Sequence, residues 1–466
     1  MKNRFSNLSV LAIIVIAFMY SSCRPGTNKN SEAPLTAQEL FVTPARQAGQ
    51  TDVIELRCEP IDTVRIAIIG LGMRGYEAVR RLHFIEGVRI VALCDVVPAN
   101  VEKSQQLIQE SGKPLAVGYT GEEDWKLICE RDDVDLVYIC THWELHAPIA
   151  VYAMEHGKHA ATEVPAALTI DECWQLVNAA EKTRRHCMML ENCNYDFFEM
   201  ATLNMAQQGL LGEIVHVEGA YIHDLRWLNF NDSTGYWNMW RLKHNQEKDG
   251  NLYPTHGLGP IAHILNIHRG DKMNYLVSVS SKQFGMTAYA KEKFGEGSDY
   301  ATREYKKGDI NTTIIKTHNG KTMMLQHDVS SPRPYSRIHM VSGTKGFAQK
   351  WPRRGITLEP DGHRYLSDTR LDSLLKVYEH PIVKEVGQKA KEVGGHGGMD
   401  FIMDYRLIYC LRNGLPLDQD VYDAAEWSAI IELSRKSVEN QGMPVQIPDF
   451  TRGAWNKVNM VTYFTN

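Results

Sequence analysis

The chain has 466 residues, of which 43% are hydrophobic and 23% are charged, an ordinary composition for a globular protein. Because a single hydrophobic core stops growing at about 250–300 residues, this length predicts two or three domains. The formal net charge of −5 and the absence of any long run of Lys and Arg argue against nucleic acid as a partner. The same charge disfavours non-specific attraction to an anionic membrane surface.

Residues 1–22 have the build of a secretory signal peptide. Lys2 and Arg4 precede an apolar run over 8–19, which is too short to remain in a bilayer as a permanent span. Two serines then lead to Cys23, and this end resembles a bacterial lipobox, which implies that Cys23 carries lipid and is the first mature residue. The alternative is a cleaved signal with an incidental cysteine. The resemblance implies an exported lipoprotein of the cell envelope, on the periplasmic side or the outer surface, attached to the membrane only through its lipid.

The next segment, residues 23–60, is rich in Pro, Thr, Asn, Glu and Gln, which is typical of a tether. An α/β domain is predicted from 61 to 192, because apolar strands and helical segments alternate there. Strands are predicted over 64–72, 89–96, 134–140, 158–164 and 186–192, and helices over 75–85, 100–111, 122–130, 147–157 and 169–184. This order predicts a parallel sheet with both faces covered by helices.

After residue 192 the pattern changes. A helix over 197–209 leads into strand-like runs joined by polar turns, over 213–224, 275–285, 311–318, 321–330 and 337–349. Two helical segments close the chain, over 397–414 and 420–442. Long strands joined by tight turns predict a large, mostly antiparallel sheet, so residues 193–466 are predicted to form an α+β domain.

The cysteines that follow Cys23 point to neither a metal site nor a redox site. Several lie in apolar or helical stretches, namely Cys94, Cys140, Cys173, Cys187 and Cys410. No C-x-x-C pair occurs, so a zinc knuckle or a redox motif is not supported. We expect most of these residues to be small buried apolar side chains, and no metal is predicted.

A G-x-G-x-x-G motif, formed by Gly70, Gly72 and Gly75, follows the first strand and opens the first helix. The next strand ends at Asp95, which completes the context that a dinucleotide-binding turn requires. Glycines allow a tight turn, and the helix N-terminus offers free N–H groups to a pyrophosphate. Asp95 would accept hydrogen bonds from ribose hydroxyls and repel a 2′-phosphate, so NAD is predicted rather than NADP. The alternative is a glycine turn in a sheet that binds no cofactor.

Three further motifs follow in this domain: THWELH at 141–146, GKH at 157–159 and EVP at 163–165. They resemble motifs of the glucose–fructose oxidoreductase and inositol dehydrogenase superfamily, in which the third motif is Glu-Lys-Pro. The superfamily lysine helps proton transfer at the reacting hydroxyl, but Val164 stands at this position here and cannot transfer a proton. The resemblance implies a Rossmann domain, whereas the valine implies either lost activity or another acid–base group.

The strings MMLENCNY (188–195), RWLNFNDSTGYWNMWRL (226–242) and YPTHGLGP (253–260) are similar to glycoside hydrolase family 109. This resemblance covers nearly all of the mature chain. It implies an NAD-dependent exo-glycosidase, with α-N-acetylgalactosaminidase as the named activity and a terminal N-acetylated sugar of a glycan as substrate. A homo-oligomer is also expected, since an exposed antiparallel sheet often mediates pairing in the superfamily.

The family's binding residues carry over to positions of this chain. Besides the three glycines and Asp95, the residues implied to line NAD are Met73, Arg74, Trp143, Glu144, Leu145, His146, Glu163, Val164 and Asn192. The residues implied to line the sugar are Tyr221, Arg241, Tyr253, Pro254, Thr255, His256 and Tyr335. A tyrosine offers a sugar both a ring face and a hydroxyl, and an arginine donates to sugar oxygens in a fixed geometry.

Among these residues His256 is best suited to proton transfer, because imidazole titrates near neutral pH, and it is expected in a loop. The predicted reaction begins with transient oxidation of sugar C3 by tightly bound NAD, which acidifies the C2 proton. A base then removes that proton while the substituent at C1 leaves, water adds, and C3 is reduced again. We assign His256 and Tyr253 to the acid–base groups without distinguishing their roles.

Two alternatives belong to other functional classes. A sugar dehydrogenase with an unconventional base would release NADH, whereas a hydrolase that recycles its cofactor would turn over with no net change in NADH absorbance. A catalytically silent protein would bind NAD and sugar but release no aglycone.

Overall fold

A computed structural model describes residues 43–465 of the chain. The predicted signal peptide (1–22), Cys23 and the first part of the predicted tether lie outside the described residues. Between residues 43 and 465, no helix is both long and apolar enough to cross a membrane. Both predicted domains fall within the described range, apart from the last residue.

The first sheet confirms the predicted Rossmann arrangement. Its strands are β1 (Val64–Ile69), β2 (Val88–Cys94), β3 (Val117–Tyr119), β4 (Leu136–Ile139), β5 (His159–Thr162) and β6 (Cys187–Met189). The helices between them are α1 (Met73–Leu82), α2 (Pro98–Glu110), α3 (Asp124–Cys129), α4 (His146–Glu155) and α5 (Ile170–Thr183). All strands are parallel in the order β3-β2-β1-β4-β5-β6, so the order reverses between β1 and β4, where such sheets bind ligands at their carboxyl edge.

Local sequence sets the ends of these helices. The Thr169 hydroxyl accepts a hydrogen bond from the Glu172 backbone N–H at 3.2 Å, and the Glu172 side chain accepts one in return from the Thr169 backbone. This reciprocal cap starts α5, and Arg184 in a left-handed conformation ends it. Pro98 starts α2, because its fixed φ suits the first turn and its missing N–H has no partner to lose there.

The second sheet has eight strands and is mostly antiparallel, as predicted. Its strands are β7 (Ile214–Ile222), β8 (Met273–Ser280), β9 (Ile310–Thr317), β10 (Thr322–Asp328), β11 (Met340–Gly343), β12 (Gly346–Gln349), β13 (Gly355–Leu358) and β14 (Val445–Gln446). Their order is β13-β12-β11-β7-β10-β9-β8-β14, and only β7 and β10 pair in parallel. The strand-like run over 337–349 is a hairpin of β11 and β12, because Thr344 and Lys345 turn the chain between them.

The helices of this half are more numerous than predicted. They are α6 (Phe197–Gln207), α7 (Arg226–Asn229), α8 (Trp240–Glu247), α9 (Thr255–Ile264), α10 (Gly285–Phe294), α11 (Asp299–Thr302), α12 (Asp368–Val377), α13 (Pro381–Val393), α14 (Met399–Asn413) and α15 (Val421–Glu439). The predicted helices α6, α14 and α15 are confirmed. Among those not predicted, α12 buries Leu371 fully and Leu374 and Leu375 partly, at the spacing of one helical face.

The closing helices join the two sheets. Helix α15 packs against α5 of the first sheet and against β8 of the second, while α14 packs on α1 and β1. A fully buried ion pair lies beneath α14, where Arg81 Nε donates to Asp404 Oδ2 at 2.9 Å. Tyr138 on β4 donates its hydroxyl proton to the other oxygen of Asp404 at 2.8 Å. The two halves therefore share a core.

The described part of the predicted tether, residues 43–60, lies against this body. The Arg46 guanidinium donates to the buried Glu181 carboxylate at 3.0 Å and to the Thr451 carbonyl at 2.7 Å. Val53 is buried and donates its backbone N–H to the Tyr422 hydroxyl at 3.0 Å. The folded body therefore begins before residue 61, because charge pairing and apolar burial hold this segment in place.

Candidate active site

A cavity of about 430 Å³ lies between the carboxyl edge of the first sheet and the second domain. The first domain contributes Met73, Arg74, Glu77, Arg81, Cys140, Thr141, Trp143, His146, Glu163, Val164 and Asn192 to its wall. The second domain contributes Tyr221, His223, Leu225, Leu228, Tyr236, Trp240, Arg241, Tyr253, His256, Gly395, His396 and Asp400. The size and the mixed aromatic and charged wall suit a small polar ligand beside a cofactor.

The glycine turn before α1 fits a dinucleotide. Gly70 has φ +86°, and a Cβ there would lie 2.6 Å from the backbone carbon of Cys140, so only glycine permits this turn. A Cβ at Gly72 would have no heavy atom within 4 Å, which leaves open space above the start of α1. No side chain caps the first turn of α1, so its N–H groups remain available to a pyrophosphate.

Asp95 holds this turn in shape. Its carboxylate accepts hydrogen bonds from the backbone N–H of Leu71 at 2.6 Å and of Val97 at 2.8 Å. A carboxylate has about four acceptor positions, so two remain for ribose hydroxyls. Asp95 thus sits where its predicted role places it, and its contact with the ribose stays a prediction.

The other residues predicted for NAD fall into two groups. Seven of them line the cavity: Met73, Arg74, Trp143, His146, Glu163, Val164 and Asn192. Leu145 and Glu144 do not, and Glu144 instead accepts from His142 at 2.8 Å and lies 3.0 Å from His244 of the second domain. The ring nitrogens of His146 lie 2.7 Å and 3.0 Å from the carbonyl oxygens of Pro165 and Thr141, so this imidazole is held by the backbone.

The position of the superfamily lysine is apolar and buried. Val164 is 3% exposed and lines the cavity without any group that can carry a proton. The neighbouring Glu163 accepts from Arg74 Nε at 2.7 Å, and Arg74 Nη1 donates to Asp400 at 3.0 Å. Burial raises the pKa of Asp400, but Arg74 and a hydrogen bond from His396 outweigh it and hold that pKa well below the usual range. Both carboxylates are therefore ion-paired with the same guanidinium.

Arg241 lies inside a box of aromatic rings. Its guanidinium carbon is 4.6–5.9 Å from the centroids of four rings, those of Trp143, Tyr221, Tyr236 and Tyr253. Nη1 donates to the Tyr236 hydroxyl at 2.7 Å, and no described carboxylate forms an ion pair with this side chain. The ring faces offset part of the cost of burying the charge, which leaves a cation at the cavity wall that can donate to a polar ligand.

Tyr221 and Tyr335 differ in their positions relative to the cavity. Tyr221, at the end of β7, lines it, and its ring lies 4.7 Å from that of Tyr253. Tyr335 is 37% exposed and lies outside the lining, with its ring 6.4 Å from Tyr221 and 5.0 Å from His223. His223, which sequence reasoning missed, lines the cavity beside the Tyr221 hydroxyl at 3.1 Å.

His256 lies in the first turn of α9, so its prediction as a loop residue is wrong. The sequence Pro254-Thr255-His256 reads as a loop, but Pro254 caps the helix and α9 begins at Thr255. Thr255 is fully buried, and neither it nor Pro254 lines the cavity. His256 does line it, and its Nε2 lies 3.4 Å from the Tyr253 hydroxyl. The predicted pair of acid–base residues is thus brought together at one wall.

The other nitrogen of this imidazole meets a carboxylate that sequence reasoning missed. His256 Nδ1 lies 2.8 Å and 3.0 Å from the two oxygens of Glu191, which is fully buried. Burial raises the pKa of Glu191, but its interaction with His256 and the hydrogen bonds that it accepts outweigh burial and lower that pKa. Glu191 stands within the string MMLENCNY, so the family resemblance pointed to its segment although not to its role.

Glu191, Cys193 and His256 place three donor atoms within 4.8 Å of one another, a grouping that can suit a metal. The Glu191 carboxylate is already paired with His256 Nδ1, and the Cys193 thiol lies 3.4 Å from the Asn192 amide oxygen. Burial raises the pKa of the Cys193 thiol well above its usual range, which disfavours the thiolate that a metal would need. We assign no metal to these residues, and the absence of a metal stays a prediction.

A second imidazole–carboxylate pair lies on a glycine loop that sequence reasoning did not single out. Residues 394–398, Gly-Gly-His-Gly-Gly, all have positive φ, which four glycines in five residues make possible. This loop brings His396 to the cavity, where its Nδ1 lies 2.9 Å from Asp400. The density of glycines around one histidine was the available signal in the sequence.

Two family models match the chain. The model described as Glycosyl hydrolase 109, C-terminal domain, matches residues 195–457, and that of the oxidoreductase family with an NAD-binding Rossmann fold matches residues 64–191. An α-N-acetylgalactosaminidase of Bacteroides fragilis is 57% identical over 414 residues, which cover 88% of this chain and 97% of that protein. Glycosyl hydrolase family 109 protein 1 of Bacteroides thetaiotaomicron is 53% identical over 433 residues, 89% of this chain and 91% of that protein.

Solved structures share the fold at low sequence identity. A levoglucosan dehydrogenase in complex with NADH and levoglucosan matches with a TM-score of 0.61 at 18% identity, covering 83% of this chain and all of that one. An oxidoreductase domain protein from Kribbella flavida matches with a TM-score of 0.63 at 18% identity over the same shares. These matches show that the chain shares the overall fold of these two proteins.

We predict that Asp95→Ala weakens NAD binding at least tenfold. The change removes the acceptor for ribose hydroxyls, and a hydrogen bond to a charged group contributes about 1.5–3 kcal/mol. It also frees the Leu71 and Val97 N–H groups that fix the turn. Tryptophan fluorescence titration of the cofactor-free protein measures the affinity. Asp133→Ala, on the surface of the same domain, is the control, and unchanged affinity in Asp95→Ala would reject the assignment.

Proposed function

The chain belongs to glycosyl hydrolase family 109, and on that basis we propose that it is an exo-acting α-N-acetylgalactosaminidase acting on a terminal N-acetylated sugar of a glycan. It is a glycoside hydrolase with NAD as its cofactor. The observation that carries the mechanism is the pair of His256 and Tyr253 at one cavity wall, opposite a superfamily lysine position occupied by Val164. The acid–base groups have moved from the first domain to the second.

The carboxylates of the cavity do not favour direct displacement at C1. Most glycosidases use two carboxyl groups, one of them a protonated acid, on either side of the bond. The carboxylates in the described wall are Glu77, Glu163 and Asp400. Arg74 pairs with the last two, and the lowered pKa of Asp400 keeps it ionised. Arg80 pairs with Glu77 at 2.8 Å, so each carboxylate of the described wall is ion-paired, which supports an elimination route.

NAD, when bound, supplies reversible oxidation of a secondary alcohol, which on this proposal is at sugar C3. The oxidised carbon makes the proton on C2 acidic, and the chain's own residues then carry the protons. His256 Nε2 is an acceptor within reach of the cavity, so it suits removal of the C2 proton. Loss of the C1 substituent, addition of water and re-reduction at C3 complete the turnover.

Tyr253 suits the role of donor. Burial, with the neighbouring Tyr221, raises its pKa well above the usual range, so the hydroxyl keeps its proton at neutral pH. It lies 3.4 Å from His256 Nε2, and its ring stacks 5.9 Å from that of Trp143. A hydroxyl fixed in this way can polarise a carbonyl oxygen by donating a hydrogen bond to it. We therefore propose His256 as the base and Tyr253 as the donor.

We expect the purified protein to release nitrophenol from the α-N-acetylgalactosaminide in a panel of nitrophenyl glycosides without a net change in NADH absorbance. The cofactor is regenerated in each turnover, so none of it accumulates in reduced form. In deuterated water the released sugar should carry deuterium at C2, whereas direct displacement never breaks the C2–H bond. Steady accumulation of NADH would instead indicate a dehydrogenase, and binding without release of nitrophenol a silent sugar-binding protein.

We predict that His256→Ala lowers kcat by about 10²–10⁴-fold, the usual contribution of a positioned base. The NAD content should stay at the wild-type level, because His256 lies in α9 and not at the glycine turn. Stopped assays with the nitrophenyl substrate give the rate, and absorbance after denaturation gives the NAD content. His263→Ala, a buried histidine later on the same helix, tests whether any lost imidazole has this effect.

We also propose that the protein is an exported lipoprotein of the cell envelope, supported by the apolar run and serines that precede Cys23. Mass spectrometry of the mature N-terminus should find lipid on Cys23, and a chain that begins elsewhere would contradict this proposal.

We further propose that the protein self-associates through the open face of the second sheet, where Tyr275, Val279 and Ile314 are exposed. Sedimentation at several concentrations measures the self-association.

A further inference from the structure

Glu191 is a buried charge with an unusual set of partners. It lies two residues after the end of β6 and is 0% exposed, and no described Lys or Arg forms an ion pair with it. Its partners are the His256 imidazole and the backbone N–H of Cys193, at 3.0 Å. Burying a carboxylate costs free energy unless its charge is paired. Because Glu191 is buried with a single imidazole as its side-chain ion-pair partner, we expect this pair to have a function.

The two elements that carry the pair are built to meet. A Cβ on Gly259 of α9 would lie 2.8 Å from Cγ of Glu191 and 2.6 Å from the Asn194 amide oxygen. Only a glycine there lets α9 approach the Glu191 side chain. The carbonyl of Glu191 is held by the Gln419 amide at 3.4 Å, and Leu190 donates to the Thr162 carbonyl at 2.8 Å. The backbone that carries the Glu191 side chain is thus anchored to the first sheet.

The contact determines which nitrogen of His256 carries the proton. An ionised carboxylate can only accept hydrogen bonds, so Nδ1 must carry the proton that it donates to Glu191. In the neutral ring Nε2 is then the acceptor, and it faces the Tyr253 hydroxyl. The opposite tautomer would place a proton on Nε2 and could not remove one from a substrate.

We propose that Glu191 is a positioning residue, whose carboxylate fixes His256 in the tautomer that can act as the base and stabilises the imidazolium formed when His256 takes up a proton. This assignment rests on the proposed function. In that step a proton passes from substrate carbon to Nε2, the ring becomes positively charged, and the Glu191 charge lies 2.8 Å from Nδ1. Glu191 itself keeps its charge and does not touch the substrate.

The surroundings of His256 leave Glu191 as its one anionic contact among the described residues. The other titratable groups that face the ring are Tyr221 at 5.4 Å between ring centroids, Tyr253 at 4.9 Å, Cys193 and His223. Burial raises the pKa of both tyrosines and of the thiol, which keeps them neutral. Removing the Glu191 charge therefore makes protonation of the ring less favourable, and no described neighbour can replace that charge.

A purely structural role is the competing explanation, because the Glu191 side chain also caps the turn over 192–195 through Cys193. Glutamine keeps an oxygen for that cap but has no charge, so Glu191→Gln separates the two roles. The matched control is Glu181→Gln, since Glu181 is equally buried but pairs with Arg46 and Arg452 away from the cavity. Both variants lose one buried charge, and only one of them touches His256.

We expect Glu191→Gln to lower kcat on the nitrophenyl glycoside about a hundredfold, with KM and NAD content unchanged. The acid limb of the kcat/KM profile should move to lower pH, because the unprotonated ring persists further into acid once the carboxylate charge is lost. Glu191→Ala should lower kcat at least as far. Glu181→Gln should leave kcat and the pH profile at wild-type values, whatever its effect on Tm.

A readout without turnover separates this proposal from the proposed function. In protein labelled with nitrogen-15 at histidine, the His256 ring should show the Nδ1–H tautomer, and Glu191→Gln should shift its titration to lower pH. His256→Ala identifies the signal. If the wild type cleaves no glycoside but shows this behaviour, the proposed function fails and the positioning contact stands. An unchanged ring titration in Glu191→Gln, or an unchanged kcat and pH profile in an active enzyme, overturns the proposal.

Discussion

The close approach of α9 to its two neighbours is the constraint on which the site depends. A Cβ at Gly257 would collide with the Ala220 backbone of β7, and a Cβ at Gly259 would collide with Glu191 and Asn194. The start of α9 can therefore lie flat on the second sheet while it touches the carboxyl edge of the first. His256 directly precedes Gly257, and its imidazole contacts Glu191 of the first domain and lies beside Tyr221 and Tyr253 of the second. A residue larger than glycine at position 257 or 259 would push the His256 imidazole away from the Glu191 carboxylate or from Tyr221.

The same constraint explains why a Rossmann-type oxidoreductase architecture can hold a hydrolase. In the dehydrogenases that this chain resembles, the lysine of the Glu-Lys-Pro motif follows β5. Val164 occupies that position here and offers only apolar surface. Across the cavity, His256 at the start of α9 lies within hydrogen-bonding distance of both Tyr253 and Glu191, and this is the group to which we propose to assign the acid–base function. The turn that suits NAD and the strand order are retained, because they depend on backbone geometry and not on the lysine.

Charge is distributed in the cavity so that each buried group has a partner or an aromatic neighbour. Arg74 pairs with Glu163 and Asp400 on the first-domain side. Arg241 on the other side is surrounded by ring faces and pairs with no described carboxylate. This asymmetry leaves a cation without a carboxylate partner at one wall and ion-paired carboxylates at the other, which is unlike the two free carboxyl groups of an ordinary glycosidase.

The sequence by itself determined the features that depend on local pattern. The alternation of strands and helices, the glycine turn with Asp95, and the mostly antiparallel second sheet follow from periodicity and short motifs, and the structure bears them out. Family motifs also singled out His256 and Tyr253, which the structure brings together. What only the tertiary structure decided are contacts between distant segments: Glu191 with His256, Arg74 with Asp400, and residues 43–60 against the body. No local sequence pattern predicts such pairs, because their geometry depends on how the two sheets and α9 pack together. The helical state of His256 was missed for the same reason.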